Sequence, residues 1–264
     1  MKFNPRMILI RVWSAVTFVT LMISGCSGEE RTSGSATDAS ADRVLVFSAT
    51  RGYRHASISA GQKALRELGT ANGFRTDESE DPAVFAPGNL KKYKAIVFLN
   101  TTGSFFNTAQ KQAFQEFIAA GGGFVGIHAA ADSFYDWPWY GALAGGYFKS
   151  HPEIQTATLL VAAKDHPATR HLPSPWKRRD EWYNFKALNP QVRVLLTIDE
   201  KSYSGGENGD HHPVSWFHEY EGGRAFYTAL GHTRESYSDP LFLEHLLGGL
   251  KWAMKRDSAS SLRR

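Results

Sequence analysis

The sequence predicts one α/β domain, a three-layer sandwich in which helices cover both faces of a mostly parallel sheet. Three observations favour this class. From residue 43 onward, short apolar runs alternate with segments of helical periodicity, and glycine-rich turns separate them. Of the 264 residues, 42% are hydrophobic and 21% are charged, which is ordinary for a soluble protein and excludes a disordered or multi-span membrane protein. No internal repeat or shift in composition divides the chain after residue 42.

Strands and helices alternate through the first half of the predicted domain. Val44–Phe47 is an apolar run of the buried-strand type. Ser57 can cap a helix that closes at Gly73. A strand, a helix and a further strand then follow at Ala95–Asn100, Thr108–Ala120 and Phe124–Ile127.

The second half of the domain is predicted to add strands of mixed direction and a closing helix. Apolar strands are predicted at Ala157–Ala162, Arg193–Ile198, Pro213–His218 and Arg224–Leu230. Only a short glycine-containing turn separates the last two, which indicates an antiparallel hairpin. The final helix, Pro240–Met254, carries its apolar residues on one face, as a helix that packs on the sheet does.

Four segments lie just beyond predicted strands, at the carboxyl edge where open α/β sheets bind their ligands. They are Thr50–His55, Thr101–Phe105, His128–Asp132 and Gly231–Glu235. Three of the four contain a histidine. We therefore expect the functional site at this edge and expect histidine to dominate its chemistry.

His128 is the strongest single candidate. It directly follows a glycine-containing strand and opens a run of small residues, a position that resembles a nucleophile elbow. A helix dipole disfavours imidazolium there, so a neutral metal ligand or hydrogen-bond donor fits better than a nucleophile. His232 follows the strand that ends at Leu230 in the same way. The alternatives are a structural histidine at 128 and a polar loop residue at 232.

Further candidates lie outside those four segments. His151 follows a glycine-rich turn, and Glu181 lies among aromatic residues, where it is either a buried base or ligand or an ordinary exposed acid. Aromatic residues are dense between positions 134 and 147, and such rings suit the apolar faces of sugars as well as a core or a lid. The residues predicted to bind substrate are His55, Asp132, Trp137, Tyr183 and His212.

The first 25 residues have the pattern of a secretory signal. Three bases and no acid precede an apolar stretch, which ends in Leu21-Met22-Ile23-Ser24-Gly25-Cys26. This ending resembles a bacterial lipobox, so lipidation of Cys26 is predicted, with an ordinary apolar region or an uncleaved anchor helix as alternatives. Residues 26–42 are small, polar and acidic and indicate a flexible tether. Ser27 favours the outer membrane, with the domain facing the periplasm.

Charge and cysteine content exclude several functions. The formal charge of +4 reflects 30 bases against 26 acids, and removing the three bases of the signal leaves 27 against 26. No basic stripe remains, so a nucleic-acid partner is not expected. The single cysteine excludes a disulfide framework and a cysteine-rich zinc site. No Walker loop or dinucleotide fingerprint occurs, so no nucleotide cofactor is expected.

Several ordered blocks between residues 43 and 256 together resemble one family. They are RGYRHASI, GGGFVGIHAAADSFYDWPWYGALAGGYFKSHP, DEWYNF and HPVSWFHEYEGGRAFYTALGH. The chain is similar here to ThuA-like (trehalose utilisation) domains, with residues 257–264 left as a tail. The resemblance implies a class I glutamine amidotransferase-like, flavodoxin-like fold. It places His128 where an amidotransferase carries its cysteine and His232 at the catalytic histidine, so glutaminase activity is not expected.

The same resemblance implies a role in carbohydrate metabolism, on disaccharides or their keto derivatives. The leading hypothesis is a hydrolase or lyase whose catalytic residues are His128, His151, Glu181 and His232. These side chains either bind a divalent metal such as zinc or act directly as acid and base. The second hypothesis is a non-catalytic carbohydrate-binding lipoprotein, and the third is an interaction domain whose histidines do not share a pocket.

Overall fold

A large sheet runs through residues 41–256, the part of the chain that the computed structural model describes. In chain order the strands are β1 (Asp42–Phe47), β2 (Phe74–Ser79), β3 (Ala95–Leu99), β4 (Gly123–Ile127), β5 (Tyr147–Ser150), β6 (Gln155–Val161), β7 (Trp176–Asp180), β8 (Asn184–Lys186), β9 (Arg193–Asp199), β10 (Pro213–Tyr220) and β11 (Gly223–Thr228). The helices are α1 (Ile58–Asn72), α2 (Thr108–Ala119), α3 (Pro138–Ala144) and α4 (Pro240–Ala253). All described residues fall within one compact unit.

Nine of the described strands form one sheet in the order β2-β1-β3-β4-β11-β10-β9-β6-β7. The first five pair in parallel, and each later strand pairs antiparallel with its neighbour. Among the described strands, β10 and β6 alone are therefore reversed. The predicted mostly parallel α/β sheet is confirmed, and so is the antiparallel hairpin of β10 and β11. The remaining two strands, β5 and β8, form a small antiparallel sheet of their own.

Helices cover both faces of the sheet. In β3, Phe98 stacks on Phe114 of α2, whereas the next residue, Leu99, lies against Gly61 of α1. Because neighbouring residues of a strand point to opposite faces, α1 and α2 lie on opposite sides of the sheet. Helix α4 packs beside α1. The three-layer sandwich is thus the observed architecture.

The helix boundaries follow the chemistry of their ends. Helix α1 ends at Gly73, whose φ of +69° is the left-handed conformation that glycine adopts without strain. Helix α2 begins with a reciprocal capping box between Asn107 and Gln110. Helix α4 begins with an Asp239 cap followed by Pro240 at its first position.

Five elements lie outside the predicted pattern: β2, β5, β7, β8 and α3. Strand β7 shows the reason, since it reads Trp-Lys-Arg-Arg-Asp and nevertheless buries Trp176, Arg178 and Asp180 on one face. Alternation predicts a strand when the buried positions are apolar. Here two of the three buried side chains are charged, so tertiary partners and not hydrophobicity define the strand.

The sheet curls so that β7 returns toward its centre. Four strand spacings separate β7 from β11, about 19 Å in a flat sheet. Yet Asp180, the last residue of β7, accepts a hydrogen bond at 3.0 Å from the backbone N–H of Gly231, just beyond β11. This curvature brings the carboxyl end of β7 to the carboxyl ends of the central strands.

The predicted signal peptide, the lipidation residue Cys26, nearly all of the tether and the tail at 257–264 lie outside the described residues. Strand β1 begins at Asp42, at the end of the predicted tether. Within residues 41–256, the helices are all too short or too polar to cross a membrane.

Candidate functional site: a cluster of histidines and a carboxylate

His128 lies at a sharp turn directly after β4, where a short 3-10 helix begins. Its φ of +49° is in the left-handed region, which costs such a residue on the order of 1–3 kcal/mol. The Tyr227 hydroxyl holds the turn by donating to the His128 carbonyl at 2.7 Å. Gly126 leaves room for this tyrosine, because a β-carbon there would lie 2.8 Å from Tyr227 Cδ2. The turn thus has the elbow character that the sequence indicates.

Three ligand-type atoms meet beside this turn. The Nδ1–H of His128 donates to the Ala229 carbonyl at 2.7 Å, which turns Nε2 toward the other two side chains. That Nε2 lies 3.1 Å from His232 Nδ1 and 3.3 Å from Glu181 Oε2. The third side of the triangle, from His232 Nδ1 to Glu181 Oε2, is 3.0 Å. We call these three residues the triad.

The size of this triangle fits a shared metal ion. Metal–ligand bonds of about 2.0–2.1 Å, at the angles of octahedral or tetrahedral coordination, separate neighbouring ligand atoms by roughly 2.9–3.4 Å. The three separations of 3.0, 3.1 and 3.3 Å all fall in that range. Two imidazoles and one carboxylate are also a donor set that first-row divalent ions favour.

His55 is the fourth member of the cluster. Its ring is edge-on to His128 and His232, with centroids 4.9 and 5.1 Å away. One ligand atom from each of these histidines and from Glu181 all lie within 4.8 Å of one another, so the four residues could hold a metal ion. His55 is 5% exposed, and its Nδ1 has no hydrogen-bond partner. Burial, reinforced by the neighbouring imidazoles, lowers the pKa of His55 to about 3, so the ring stays neutral and one of its nitrogens keeps a lone pair.

Glu181 supplies the negative charge of the cluster. Burial acts to raise its pKa, but the imidazoles of His128 and His232 beside the carboxylate outweigh burial and hold the pKa well below its ordinary value of 4.5. Its second oxygen, Oε1, lies 3.2 Å from Nδ1 of His151, whose side chain is 42% exposed. The carboxylate therefore joins the buried triad to a histidine that solvent reaches.

Asp180 fixes the backbone that carries two members of the triad. It is fully buried and accepts hydrogen bonds from the Arg178 guanidinium, the Ser236 hydroxyl and the backbone N–H groups of Glu181, Gly231 and His232. One carboxylate thus holds the segment after β7 against the segment after β11. Because Arg178 is buried beside Asp180, the two charges compensate each other away from water.

Two exposed tyrosines border the cluster. Tyr53 is 66% exposed and meets His55 edge-on at a centroid distance of 4.8 Å. Tyr135 is 45% exposed, and its hydroxyl donates to Asp132 at 2.6 Å. Burial raises the pKa of Asp132, and the hydrogen bond from Tyr135 opposes that rise. Exposed aromatic rings therefore lie beside His55 and beside Asp132.

The structure gathers most of the predicted site and adds His55 to the cluster. His128, His232 and Glu181 meet as expected, which contradicts the hypothesis of histidines that do not share a site. The fourth member of the cluster is His55, whereas His151 lies against Oε1 of Glu181, and the prediction that His151 is a metal ligand stays a prediction. His55 was predicted only to bind substrate.

Two other residues predicted to bind substrate are buried in packed surroundings. His212 is fully buried, with Glu200 and the Tyr183 carbonyl occupying its two ring nitrogens. Trp137 packs in the aromatic core, stacked on Trp139 with centroids 5.0 Å apart. Tyr183 is buried as well, but its ring covers His128 at a centroid distance of 4.1 Å. Asp132 stays partly exposed beside Tyr135.

Sequence reasoning missed three supporting residues: Asp180, Arg178 and Tyr227. Asp180 was visible only as the neighbour of Glu181, since nothing in the sequence shows that β7 curls back. Trp176, Arg178 and Asp180 are two residues apart and share the buried face of β7, and this period of two is the one signal that the sequence offers for Arg178. Tyr227 carries no signal, because it is one aromatic residue within an apolar strand.

The fold and the cluster together define the class of protein. It has a glutamine amidotransferase-like α/β fold, and its site is built from imidazoles and a carboxylate, with no cysteine in residues 41–256. The ThuA (trehalose utilisation) family model matches residues 43–253, and the chain belongs to this family.

Solved structures agree with this assignment. A ThuA-like protein from Bacteroides uniformis is 25% identical, with a TM-score of 0.69 over 80% of this chain and 91% of that one. A ThuA-like protein from Parabacteroides merdae is 20% identical, with a TM-score of 0.70 over 83% and 92%. A GMP synthase protein from Thermoplasma acidophilum shares the fold at 13% identity and a TM-score of 0.50, over 83% and 98%. Among curated proteins, the search finds no significant match.

Proposed function

We propose that this protein is a metal-dependent enzyme of carbohydrate metabolism, a hydrolase or lyase that acts on disaccharides or their keto derivatives. The observation that supports a metal site is the triangle of ligand atoms in the triad, whose sides are all between 3.0 and 3.3 Å. Membership of the trehalose utilisation family supports a sugar as the substrate.

The number and spacing of the ligands favour a catalytic ion over a structural one. Structural zinc sites are closed by four protein ligands, whereas catalytic sites use three and keep a position open. Here three atoms are at ligand spacing and His55 stands farther off, within 4.8 Å. Zinc or a similar first-row ion suits this donor set, and when bound it supplies a Lewis acid for a sugar oxygen or for water.

The side chains of the cluster have distinct roles in this proposal. His128 is held by the Ala229 carbonyl so that its Nε2 faces inward. Glu181 remains ionised between the triad and His151. His151, half-exposed against the free oxygen of Glu181, is placed to carry protons between solvent and substrate.

The border of the site suits a sugar. Exposed rings such as Tyr53 and Tyr135 stack on the apolar faces of pyranoses. Asp132 has one oxygen bonded to Tyr135, and its second oxygen can accept a sugar hydroxyl. An aromatic face beside a carboxylate is a pairing that matches both the apolar and the polar edges of a sugar ring.

Turnover of defined sugars tests the proposal. The protein is incubated with disaccharides and 3-keto-disaccharides, before and after metal removal by a chelator, and products are measured. The expected result is cleavage that chelation abolishes, added zinc or another first-row ion restores, and the double change His128→Ala/His232→Ala removes.

His218→Ala is the matched control, because His218 is also buried and donates to a backbone carbonyl away from the cluster. Cleavage that survives chelation and the double change would overturn the metal mechanism. Saturable sugar binding without any product, unchanged in the double variant, would instead favour the non-catalytic carbohydrate-binding alternative.

The proposal includes export and anchoring by lipid at Cys26, in the outer membrane with the domain facing the periplasm. Its support is the sequence pattern of residues 1–26 alone. Labelling with an alkyne fatty acid in a bacterial host, followed by membrane fractionation, tests it. Label in the outer-membrane fraction that disappears in Cys26→Ser is expected, and an unlabelled wild-type protein would contradict it.

A further inference from the structure

Glu200 and His212 form a hydrogen-bonded pair, of which His212 also contacts the backbone of Tyr183. His212 is fully buried, with Nδ1 2.8 Å from Glu200 Oε1 and Nε2 2.8 Å from the Tyr183 carbonyl oxygen. A backbone carbonyl only accepts, and Glu200 Oε1 also accepts from the backbone N–H groups of Asn208 and Gly209. Both ring nitrogens therefore have partners, with the Tyr203 hydroxyl also 3.3 Å from Nδ1, and the orientation of the ring is fixed.

Through Tyr183 this pair reaches the triad. The carbonyl that His212 holds belongs to the residue whose ring covers His128, with centroids 4.1 Å apart at 34°. Tyr183 also follows Glu181 by two residues, on the short segment between β7 and β8. Fixing this peptide therefore fixes both the aromatic cover of one ligand and the backbone that carries another.

The same pair orders a loop on the His151 side of the site. Glu200 holds the loop at Asn208 and Gly209, and Asn184 bonds to the loop at Gly205 O. Asn184 also donates to the Ser150 hydroxyl, immediately before His151. The loop that Glu200 holds therefore also contacts, through Asn184, the residue that precedes His151.

We propose that Glu200 and His212 are a positioning pair that holds Tyr183 against His128 and so sets the orientation of the His128 imidazole. Neither residue touches the atoms of the cluster, and both act through the Tyr183 peptide. The geometric part of this inference is independent of any ligand. Its consequence for metal affinity rests on the proposed function.

The test separates positioning from general stability. His212→Leu removes both hydrogen bonds, His212→Gln keeps an amide donor near the position of Nε2, and Glu200→Gln removes the charge. His218→Leu is the matched control, since His218 is 5% exposed and donates from Nε2 to the Leu143 carbonyl at 2.8 Å. Thermal unfolding of each variant first establishes that it is folded.

Proton NMR of the metal-free protein reads the position of the His128 ring. A tyrosine stacked on an imidazole shifts its ring protons upfield, so wild type and His218→Leu are expected to show shifted His128 signals. His212→Leu is expected to lose the shift, and Glu200→Gln and His212→Gln to keep part of it. An unchanged His128 signal in folded His212→Leu would overturn the inference, whether or not the protein binds metal.

Cobalt(II) titration, followed by visible absorption, gives the second readout. Removing an outer contact that orients metal ligands weakens binding by about 10–100-fold, so this loss is expected for His212→Leu and not for His218→Leu. If wild type binds no cobalt or zinc, the metal proposal fails and the NMR result alone decides the positioning role. Equal metal affinity in wild type and His212→Leu would contradict the consequence drawn for the triad.

Discussion

The change Asp180→Asn tests the contact that joins β7 to the site. Asp180 is fully buried and pairs with Arg178, whose side chain is 6% exposed. One of its oxygens accepts from the backbone N–H groups of Glu181 and His232, and the other accepts from Arg178, Ser236 and Gly231. Asparagine must turn its NH₂ toward one of these groups of donors, and it leaves the guanidinium with only the longer contact to Asp239, at 3.5 Å, as its countercharge.

The expected loss of stability is large for a substitution that replaces one oxygen atom by an NH₂ group. Breaking a buried ion pair by removing one partner costs about 3–5 kcal/mol in the free energy of unfolding. For a domain of this size, each kcal/mol lowers the Tm by roughly 2–4 °C, so a fall of about 6–20 °C is expected. The segments that bear Glu181 and His232 also separate, so metal affinity falls with stability.

Thermal unfolding followed by circular dichroism measures the loss. Asp77→Asn is the control, because Asp77 and Arg43 form a partly exposed pair, with side chains 29% and 43% exposed, and such pairs contribute about 0–1 kcal/mol. If the two substitutions lower the Tm equally, or if Asp180→Asn changes it by less than about 2 °C, the role assigned to Asp180 is wrong.

Three more changes test other parts of the structure. Burial lowers the pKa of His245 to about 3, so between pH 6.5 and 3 this histidine binds a proton in the unfolded chain but not in the folded one. The free energy of unfolding should therefore fall as the pH falls through that range, and it should fall less in His245→Gln. Urea unfolding at pH 7 and at pH 4 measures the difference. Tyr227→Phe leaves the His128 carbonyl without its donor and should cost about 1–3 kcal/mol in urea, with weaker metal binding. Asn107→Ala removes the α2 cap and should cost about 1 kcal/mol without changing metal binding. Unchanged urea midpoints would contradict each of these assignments.

The central strands and their parallel direction can be predicted from the sequence, because these strands are apolar and bounded by turns. β1, β3 and β4 are buried on both faces, which gives the continuous apolar runs that predict parallel strands. The elbow at His128 follows as well, since the residue comes directly after a glycine-containing strand and opens a run of small residues.

The composition of the cluster depends on long-range curvature that no local pattern encodes. Glu181 reaches His128 because β7, which has a charged sequence, curls back by four strand positions. His55 joins the cluster because the loop after β1 turns inward, whereas β5, which precedes His151, belongs to a separate small sheet. The position of His212 beside a strand predicts a residue that lines a pocket. Only its contacts with Glu200 and with the Tyr183 carbonyl indicate a supporting role.

The location of a bound metal tests the central claim most directly. Crystals of the protein grown with zinc, measured on both sides of the zinc absorption edge, locate any zinc ion by its anomalous scattering. The expected result is one ion about 2.0–2.2 Å from His128 Nε2, His232 Nδ1 and Glu181 Oε2, with His55 closer than it is without the metal. A cluster without anomalous density at saturating zinc, or an ion held by other residues alone, would contradict the assignment of these three side chains as metal ligands.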